Sequence, residues 1–382
     1  MRIRWRSLPG CLTGRPVTLS PRNCASSALR LLPNSPSTTG LLADEAGMGP
    51  TFQAAQPVQL VRRVLDIDGK AVGVSAAGRG VPLVMVHGFG VESLLYAQTL
   101  GRLVALGFKV FAIDIPGHGE SDGLHLSAAL DEFVQVIDAT ISQLGVQRAV
   151  FVGHSLGGRI AAELAALQPK RALALMLLDP IVGQPWDELR KWLRWFPPAL
   201  LAYGAIAVVD VASTLPTLAD RSQALKIGSR VRGSIASIVR EPWNGLNVGS
   251  AVLRSGSSVA ALERIRIAKV PTFVVHATKD LLVPKRAADD TSQRTHATFV
   301  AVDGAGHSWM VRDPEALPAI VQQLLEGTLG DALRNAGVAP ELERDVVMRA
   351  CIAPRDAEDL LLPLDVVLPT VRQPARLKFT VS

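Results

Sequence analysis

The segment Gly153-His154-Ser155-Leu156-Gly157-Gly158 is the strongest indication of the fold of this 382-residue chain. The apolar run 148–152 before it is typical of a buried strand, and segment 159–167 after it is rich in residues that favour a helix. A strand, a Gly-x-Ser-x-Gly turn and a helix form a nucleophile elbow, which lifts a serine hydroxyl above the edge of a sheet. The same five-residue pattern also describes a plain turn with a surface serine, so its meaning depends on partners elsewhere in the chain.

A glycine-rich loop upstream of the elbow has the composition of an oxyanion loop. The apolar run 81–86 predicts a buried strand that ends in His87-Gly88-Phe89-Gly90. Glycines on either side of Phe89 let the backbone approach a reacting carbonyl, so we expect its N–H to be one oxyanion donor. The second predicted donor is the N–H of Leu156, because the first N–H groups of a helix have no partner within it.

Partners for the serine follow downstream, each at the end of a predicted strand. Strand 270–277 leads to Asp280, and strand 297–302 leads to His307. Serine is a poor nucleophile at neutral pH unless a base takes its proton and an acid orients that base. We therefore predict Ser155, Asp280 and His307 as the catalytic residues.

Two other carboxylates compete for the role of the acid. Asp179 also ends a predicted strand, one strand before the strand of Asp280. Asp303 is four residues from His307, where we expect it to shape the loop. A further set, Asp114, His118 and Ser121, lies within one turn. Three side chains in one turn cannot easily face a common centre, so we interpret these as groups that brace the loop.

With these motifs in place, the chain resembles the α/β-hydrolase fold superfamily. It is most similar to the capped serine hydrolases, which include carboxylesterases, lipases and meta-cleavage carbon–carbon hydrolases. The resemblance covers residues 61–329 and depends on segments 87–90, 114–122, 153–158, 280–284 and 306–307. In one departure from the pattern, Ala277 stands where the acid loop often has a glycine.

The resemblance implies an α/β fold with a mostly parallel, doubly wound sheet and an inserted helical cap. The alternation of apolar strands and helices from residue 81 to 325 independently favours such a sheet. The resemblance also implies a reaction without a metal or an organic cofactor. Similar epoxide hydrolases and haloalkane dehalogenases carry Asp at the elbow, where this chain has Ser155. Similar proline iminopeptidases have a His-Gly-Gly-Pro-Gly loop, which also differs from residues 87–91.

We predict four parts along the chain. Residues 1–57 are rich in Arg, Ser and Pro, which predicts a disordered leader. The alternatives are that the start of the chain is mis-assigned or that this segment is an organelle transit peptide. Residues 58–180 and 257–329 form the core. Residues 181–256 form the helical cap, because one crossover helix would need far fewer residues. Residues 330–382 are a C-terminal extension that serves as a surface brace or a homodimer contact.

Charge and cysteine content limit the partners. The net charge of +6 is concentrated in the leader and the cap, and no nucleic-acid motif accompanies it, so we expect no nucleic-acid partner. Cys11, Cys24 and Cys351 lack zinc-site spacing and lie outside the predicted catalytic region, which favours a reduced, cytoplasmic protein. The basic and aromatic segment 190–196 is compatible with weak contact of the cap with a membrane surface, but we favour the simpler interpretation that the cap aromatics pack on the core.

These observations predict a serine hydrolase that cleaves a carboxylic ester of a largely apolar small molecule through an acyl-enzyme. The alternatives are a carbon–carbon bond hydrolase of ring-cleavage products, an acyltransferase or cofactor-free perhydrolase on the same triad, and a non-catalytic binding module. His154 and Trp309, each beside a predicted catalytic residue, are candidate substrate contacts; packing around the triad is the alternative for both.

Overall fold

The structure is a computed structural model that describes residues 58–214, 241–339, 342–353, 362–368 and 374–382. The leader predicted over residues 1–57 lies outside the described residues. The described chain alternates strands and helices in the order that the sequence predicts for an α/β fold.

Ten strands of the described ranges form one mixed sheet. Its spatial order is β10-β8-β7-β6-β5-β3-β4-β2-β1-β9. The strands are β1 (Val58–Ile67), β2 (Lys70–Ala77), β3 (Val81–Val86), β4 (Phe108–Ile113), β5 (Ala149–His154), β6 (Ala172–Leu178), β7 (Thr272–Ala277), β8 (Thr298–Val302), β9 (Leu362–Leu368) and β10 (Phe379–Val381). Strands β4, β3, β5, β6, β7 and β8 are parallel to their neighbours in this series, whereas pairings outside it are antiparallel.

Twelve α-helices accompany the sheet in the described ranges. They are α1 (Ala97–Ala105), α2 (Leu130–Gln143), α3 (Leu156–Leu167), α4 (Gln184–Trp195), α5 (Pro197–Thr214), α6 (Pro242–Arg254), α7 (Val259–Ile267), α8 (Lys285–Thr295), α9 (Trp309–Arg312), α10 (Ala316–Leu325), α11 (Thr328–Asn335) and α12 (Arg344–Cys351). Short 3-10 helices cover Ser93–Tyr96 and Pro169–Arg171.

Each face of the sheet carries its own apolar core. Alternate residues of a strand point to opposite faces, so Val84 and Val86 of β3 belong to one core while Leu83 and Met85 belong to the other. Helices α2, α3 and α7 cover the first face, and α1, α10, α11 and α12 cover the second. The sheet is therefore doubly wound.

The chain order reverses between β3 and β5. Strand β3 pairs with β4 on one side and with β5 on the other, so the loops that follow β3 and β5 leave the sheet on either side of a crevice. Ligands bind at such a switch point in open α/β sheets. The glycine-rich loop and the elbow both begin here.

The C-terminal extension supplies both edge strands of the sheet. Strand β9 pairs with β1, and strand β10 pairs with β8 at the opposite edge. Earlier in the same extension, the carbonyl of Cys351 accepts hydrogen bonds from the backbone N–H groups of Gln147 and Arg148. The sequence identifies this segment only as surplus to the fold, because short edge strands with distant partners leave little local pattern.

The described part of the predicted cap is helical. It consists of α4, α5 and α6, which lie between β6 and α7 in the chain. Within the described ranges, no helix by itself has the length and apolarity needed to cross a membrane; α4 and the segment Pro197–Asp210 pass that test only as a pair bent by 118°.

Candidate active site

The elbow places Ser155 in a strained backbone conformation. The residue has φ 54° and ψ −114°, between the end of β5 and the start of α3. Its N–H donates to the carbonyl of Leu178 at 2.9 Å. Added Cβ atoms at Gly153 and Gly157 would lie 2.2 and 2.1 Å from backbone oxygens. Only glycine fits these two positions, which explains the spacing of the motif.

His307 and Asp280 form a close pair. The Nδ1 atom of His307 lies 2.7 Å from Oδ2 of Asp280, and both side chains are buried. The other oxygen of Asp280 accepts the backbone N–H groups of Leu282 and Val283 at 2.7 and 2.9 Å. Because Nδ1 is bonded to the carboxylate, Nε2 is the ring nitrogen left to exchange a proton with a hydroxyl.

The two members of this pair shift each other's pKa. Burial lowers the pKa of His307, but the Asp280 carboxylate outweighs it through charge and hydrogen bonding and raises the pKa to about 8. Burial in turn raises the pKa of Asp280, and the neighbouring His307 more than offsets it, so that the pKa of the carboxyl lies below its usual range. The pair is therefore built to stabilise an imidazolium.

The two rival carboxylates occupy other positions. Asp179 is fully buried and accepts the backbone N–H of Ala277 at 2.8 Å and the indole N–H of Trp309 at 2.6 Å. Burial raises its pKa, and the charge of Asp280 adds to that shift. Asp303 is exposed, with its backbone N–H bonded to the carbonyl of Lys378. Asp280 is thus the carboxylate bonded to the imidazole.

The loop after β3 presses against the elbow. An added Cβ at Gly88 would lie 2.9 Å from Nδ1 of His154 and 3.3 Å from Cβ of Ser155. The Gly88 carbonyl accepts Nδ1–H of His87 at 2.7 Å, and Nε2 of His87 accepts the N–H of Ile115 at 2.9 Å. In a trans peptide the next N–H points away from that carbonyl, so His87 sets the direction of the Phe89 N–H.

The interpretation of loop 114–122 as a brace is confirmed. Buried Asp114 pairs with Arg62 at 2.6 Å and accepts the backbone N–H of Ser93 at 2.9 Å. The Ser121 hydroxyl donates to the Asp114 carbonyl at 2.8 Å, and Nε2 of His118 accepts the N–H of Gly90 at 3.0 Å. These contacts hold the end of the glycine-rich loop.

The two predicted substrate contacts, His154 and Trp309, have different surroundings. His154 lines the cavity described below, but its Nδ1 lies 3.1 Å from the Tyr96 hydroxyl and its Nε2 lies 3.1 Å from the His307 carbonyl. Burial lowers its pKa to about 3, so it is a neutral bridge between two loops. Trp309 is buried, and its indole N–H donates to Asp179, which fits the alternative of packing around the predicted triad; contact of Trp309 with substrate stays a prediction.

A cavity of about 790 Å³ lies between the core and the cap. Ser155, Leu156, His307 and Phe89 line its core side. The cap contributes mostly apolar side chains, among them Trp186, Leu193, Leu200, Tyr203, Leu246 and Leu253. This is the size and character of a site for a small apolar molecule.

Sequence reasoning misses Asp210, which lies in cap helix α5. Its carboxylate accepts the backbone N–H of His307 at 2.9 Å and the N–H and hydroxyl of Ser308 at 3.0 and 2.8 Å. Helix α5 has no motif and is apolar almost throughout, so the only signal in the sequence is a lone carboxylate in an apolar helix.

Two groups of side chains near the triad bring metal-ligand atoms within 4.8 Å of one another. These are His154, Asp179 and His307, and Asp179, His276 and Asp280. The shared member Asp179 already accepts two N–H groups, and both ring nitrogens of His154 are bonded within the protein. These side-chain atoms are engaged in hydrogen bonds within the protein, so we assign no metal-binding role to the two groups.

Known proteins share this architecture. A family model described as "alpha/beta hydrolase fold" matches residues 81–314, more than half of the chain. A protein of Mycobacterium phage D29 named "Putative non-heme haloperoxidase" is 35% identical over 253 residues, which cover 65% of this chain and 88% of that protein. A pimeloyl-acyl-carrier-protein methyl ester esterase of Xanthomonas campestris pv. campestris is 29% identical over 247 residues, or 62% of this chain and 91% of that one.

A solved structure also superimposes on the chain. It is a bacterial membrane phospholipase A with a TM-score of 0.58 at 19% identity, and the match covers 70% of this chain and 86% of that one. At this identity the likeness extends to the fold alone.

Proposed function

Because this chain belongs to the α/β-hydrolase family and is an enzyme of the hydrolase class, we propose that it is a serine hydrolase of carboxylic esters. Its substrate would be a largely apolar small molecule held in the cavity beneath the cap. The observation that carries the proposal is the 2.7 Å contact between His307 Nδ1 and Asp280, with both His307 and Ser155 lining one cavity.

The reaction proceeds in two steps. Nε2 of His307 takes the Ser155 proton as Oγ attacks the ester carbonyl, and the N–H groups of Phe89 and Leu156 stabilise the oxyanion. The imidazolium then protonates the leaving alcohol, which leaves an acyl-enzyme. Water, deprotonated by His307, attacks the acyl carbon, and the imidazolium then returns that proton to Ser155 Oγ as the carboxylic acid leaves. Asp280 stabilises the imidazolium in both steps.

The test is hydrolysis of p-nitrophenyl esters of increasing acyl length by the wild type, Ser155→Ala and Asp280→Asn. Loss of Ser155 should reduce kcat by as much as about 10⁶, and Asp280→Asn by about 10⁴. Ser127→Ala, which removes an exposed hydroxyl outside the site, is the matched control. Ester hydrolysis that persists in Ser155→Ala would refute the proposal. Labelling of Ser155 by a fluorophosphonate without ester turnover would instead favour a carbon–carbon hydrolase or an acyltransferase.

The similarity to the phage protein named as a haloperoxidase favours a second candidate, a cofactor-free perhydrolase. Hydrogen peroxide would replace water in the second step, so that the acyl-enzyme yields a peracid and free Ser155. Mixing the enzyme with an ester and peroxide should then produce a peracid that oxidises a halide or a dye. Peracid formation that is absent, or that survives in Ser155→Ala, would exclude this activity of the triad.

A further inference from the structure

Two buried N–H donors on cap helix α4 have no hydrogen-bond partner within the described ranges. Trp186 and Arg190 are four residues apart, so they share one face of the helix, and both line the cavity. Nε1 of Trp186 and Nε of Arg190 are buried and lack a hydrogen-bond partner among the described residues. An unsatisfied buried donor is destabilising, and each such group in a native protein calls for an explanation.

The positive charge of Arg190 is also only partly balanced by nearby acidic groups among the described residues. The residue is 3% exposed, and its Nη1 donates to the carbonyl of Leu253 at 2.8 Å. Its acidic neighbour, Asp187, has Oδ1 at 4.0 Å from Nε of Arg190 and at 3.7 Å from Arg159, beyond hydrogen-bond distance of both. The other oxygen of Asp187 is occupied by Ser257 and Ser258. Arg159 also pairs with Glu163 at 3.0 Å, whereas Asp187, at 4.0 Å, is the acidic side chain that lies near Arg190 among the described residues.

The cavity wall formed by α4 carries a further cation, and α6 contributes another. Arg194 and Arg254 line the cavity together with Arg190, whereas no Asp or Glu does so among the described residues. Arg254 donates to the neutral carbonyls of Leu126 and Ala128 at 2.7 and 2.9 Å. Burial lowers the pKa of Arg190; the charge of Asp187 opposes that shift, and Arg159 and Arg194 add to it. The cavity is thus apolar around the serine and cationic along α4.

We propose that this wall binds an anionic oxygen group of the substrate, a carboxylate, at a position distinct from the bond that Ser155 attacks. The indole N–H of Trp186 and the Nε–H of Arg190 donate to its oxygens, and the neighbouring arginines supply further positive charge. Charge-assisted hydrogen bonds of this kind are shorter and stronger than neutral ones. The preferred substrate is then an ester whose apolar chain ends in a carboxylate. This inference rests on the proposed esterase function.

The test compares matched pairs of esters. Mono-p-nitrophenyl esters of dicarboxylic acids of four to ten carbons are each paired with the p-nitrophenyl ester of the monocarboxylic acid of equal length. The ratio of kcat/KM within each pair is the measured quantity, because it cancels any general loss of activity. We expect the wild type to prefer the charged ester by about 10- to 100-fold at the length that reaches α4.

Variants assign the preference to individual donors. Arg190→Gln should lower the ratio by about 10- to 100-fold, and Arg190→Lys should restore part of it. Trp186→Phe removes only the N–H and keeps the ring, so it should lower the ratio by about 3- to 10-fold. Arg266→Gln, which alters an exposed arginine paired with Glu263 outside the cavity, should keep the wild-type ratio. A phosphate-terminated ester in the same series tells whether a carboxylate or any anion is preferred.

The outcomes separate this inference from the function on which it rests. Neutral esters hydrolysed through Ser155 with a ratio near one at every length would overturn the anion site and leave the esterase intact. If no ester is hydrolysed, a ligand-binding measurement still tests the anion site. A dicarboxylate monomethyl ester should raise the Tm of Ser155→Ala more than the uncharged methyl ester does, and the difference should vanish when Arg190→Gln is added. Equal shifts for both ligands would also overturn it.

Discussion

The carboxylate of Asp210 accepts the backbone N–H of His307 at 2.9 Å, so that a cap residue holds the loop of the proposed catalytic base. An added Cβ at Gly306 would lie 2.7 Å from Oδ1 of Asp210, which shows how closely helix α5 approaches this loop. The cap therefore has a part in positioning the base, in addition to enclosing the cavity.

Asp210→Ala should lower kcat by about 10- to 100-fold, because a misplaced base loses the alignment that proton transfer needs. Asp210→Asn keeps one acceptor oxygen, so its kcat should lie between that of the wild type and that of Asp210→Ala. Initial rates give kcat and KM, and we expect KM to change less than kcat. Asp289→Ala removes an exposed helical carboxylate and is the control. An unchanged kcat in Asp210→Ala would show that the loop holds its position without the cap.

The pKa of His307 predicts the pH dependence of the reaction. Only the neutral imidazole accepts the Ser155 proton, and the pKa of the free enzyme's His307 is about 8. Therefore kcat/KM should rise with pH, level off above about pH 8, and fall about tenfold per unit well below it. In Asp280→Asn the carboxylate that raises this pKa is gone, so the acid limb should move to lower pH. An identical limb in both proteins would contradict the assignment of Asp280 as the partner.

The close approach of Gly88 to the elbow makes it a sensitive position. Gly88→Ala would place Cβ against His154 and Ser155 and displace the peptide that carries the Phe89 N–H. Loss of one oxyanion donor should reduce kcat by about 10²–10³ with little change in KM. Gly256→Ala, where an added Cβ meets nothing within 4 Å, is the matched control. Wild-type kcat in Gly88→Ala would rule out this loop as part of an oxyanion hole.

The sequence predicts a candidate site residue where the pattern around that residue is local, and gives no signal where the residue is placed by a distant contact. Ser155 has its glycines beside it, and Asp280 and His307 each follow an apolar strand, so the local pattern is enough to predict all three. Asp210 meets the His307 loop across almost a hundred positions, without a motif. The side chain of Trp309 turns to buried Asp179, and a single sequence does not reveal that direction.

The last residues of the described chain brace the loop of the base. Strand β10 pairs with β8, which leads into that loop, and the N–H groups of Arg376 and Leu377 donate to Oδ2 of buried Asp313 at 2.6 and 2.8 Å. Removing residues 374–382 leaves that carboxylate without these donors, so we expect a loss of about 1–3 kcal/mol in the free energy of unfolding. Urea titration measures it. Asp331→Asn, at an exposed pair with Arg334, should leave the free energy of unfolding almost unchanged. An equally small effect of the truncation would show that β10 does not support the core.

The cap exposes apolar side chains that favour contact with an anionic membrane surface. Trp195 is 79% exposed and Leu201 is 77% exposed, and Lys191 and Arg194 lie beside them in the sequence. Side chains of this kind insert into the headgroup region while nearby cations attract acidic lipids. We therefore predict binding to vesicles that contain phosphatidylglycerol and weaker binding to phosphatidylcholine alone.

The double variant Trp195→Ser/Leu201→Ser should reduce the partition coefficient, measured by co-sedimentation, by at least about tenfold. Leu167→Ser/Ile267→Ser removes two similarly exposed apolar side chains outside the cap and should bind as the wild type does. Equal losses in both double variants would mean that binding is non-specific, and no binding by the wild type would leave the cap with its role over the cavity alone.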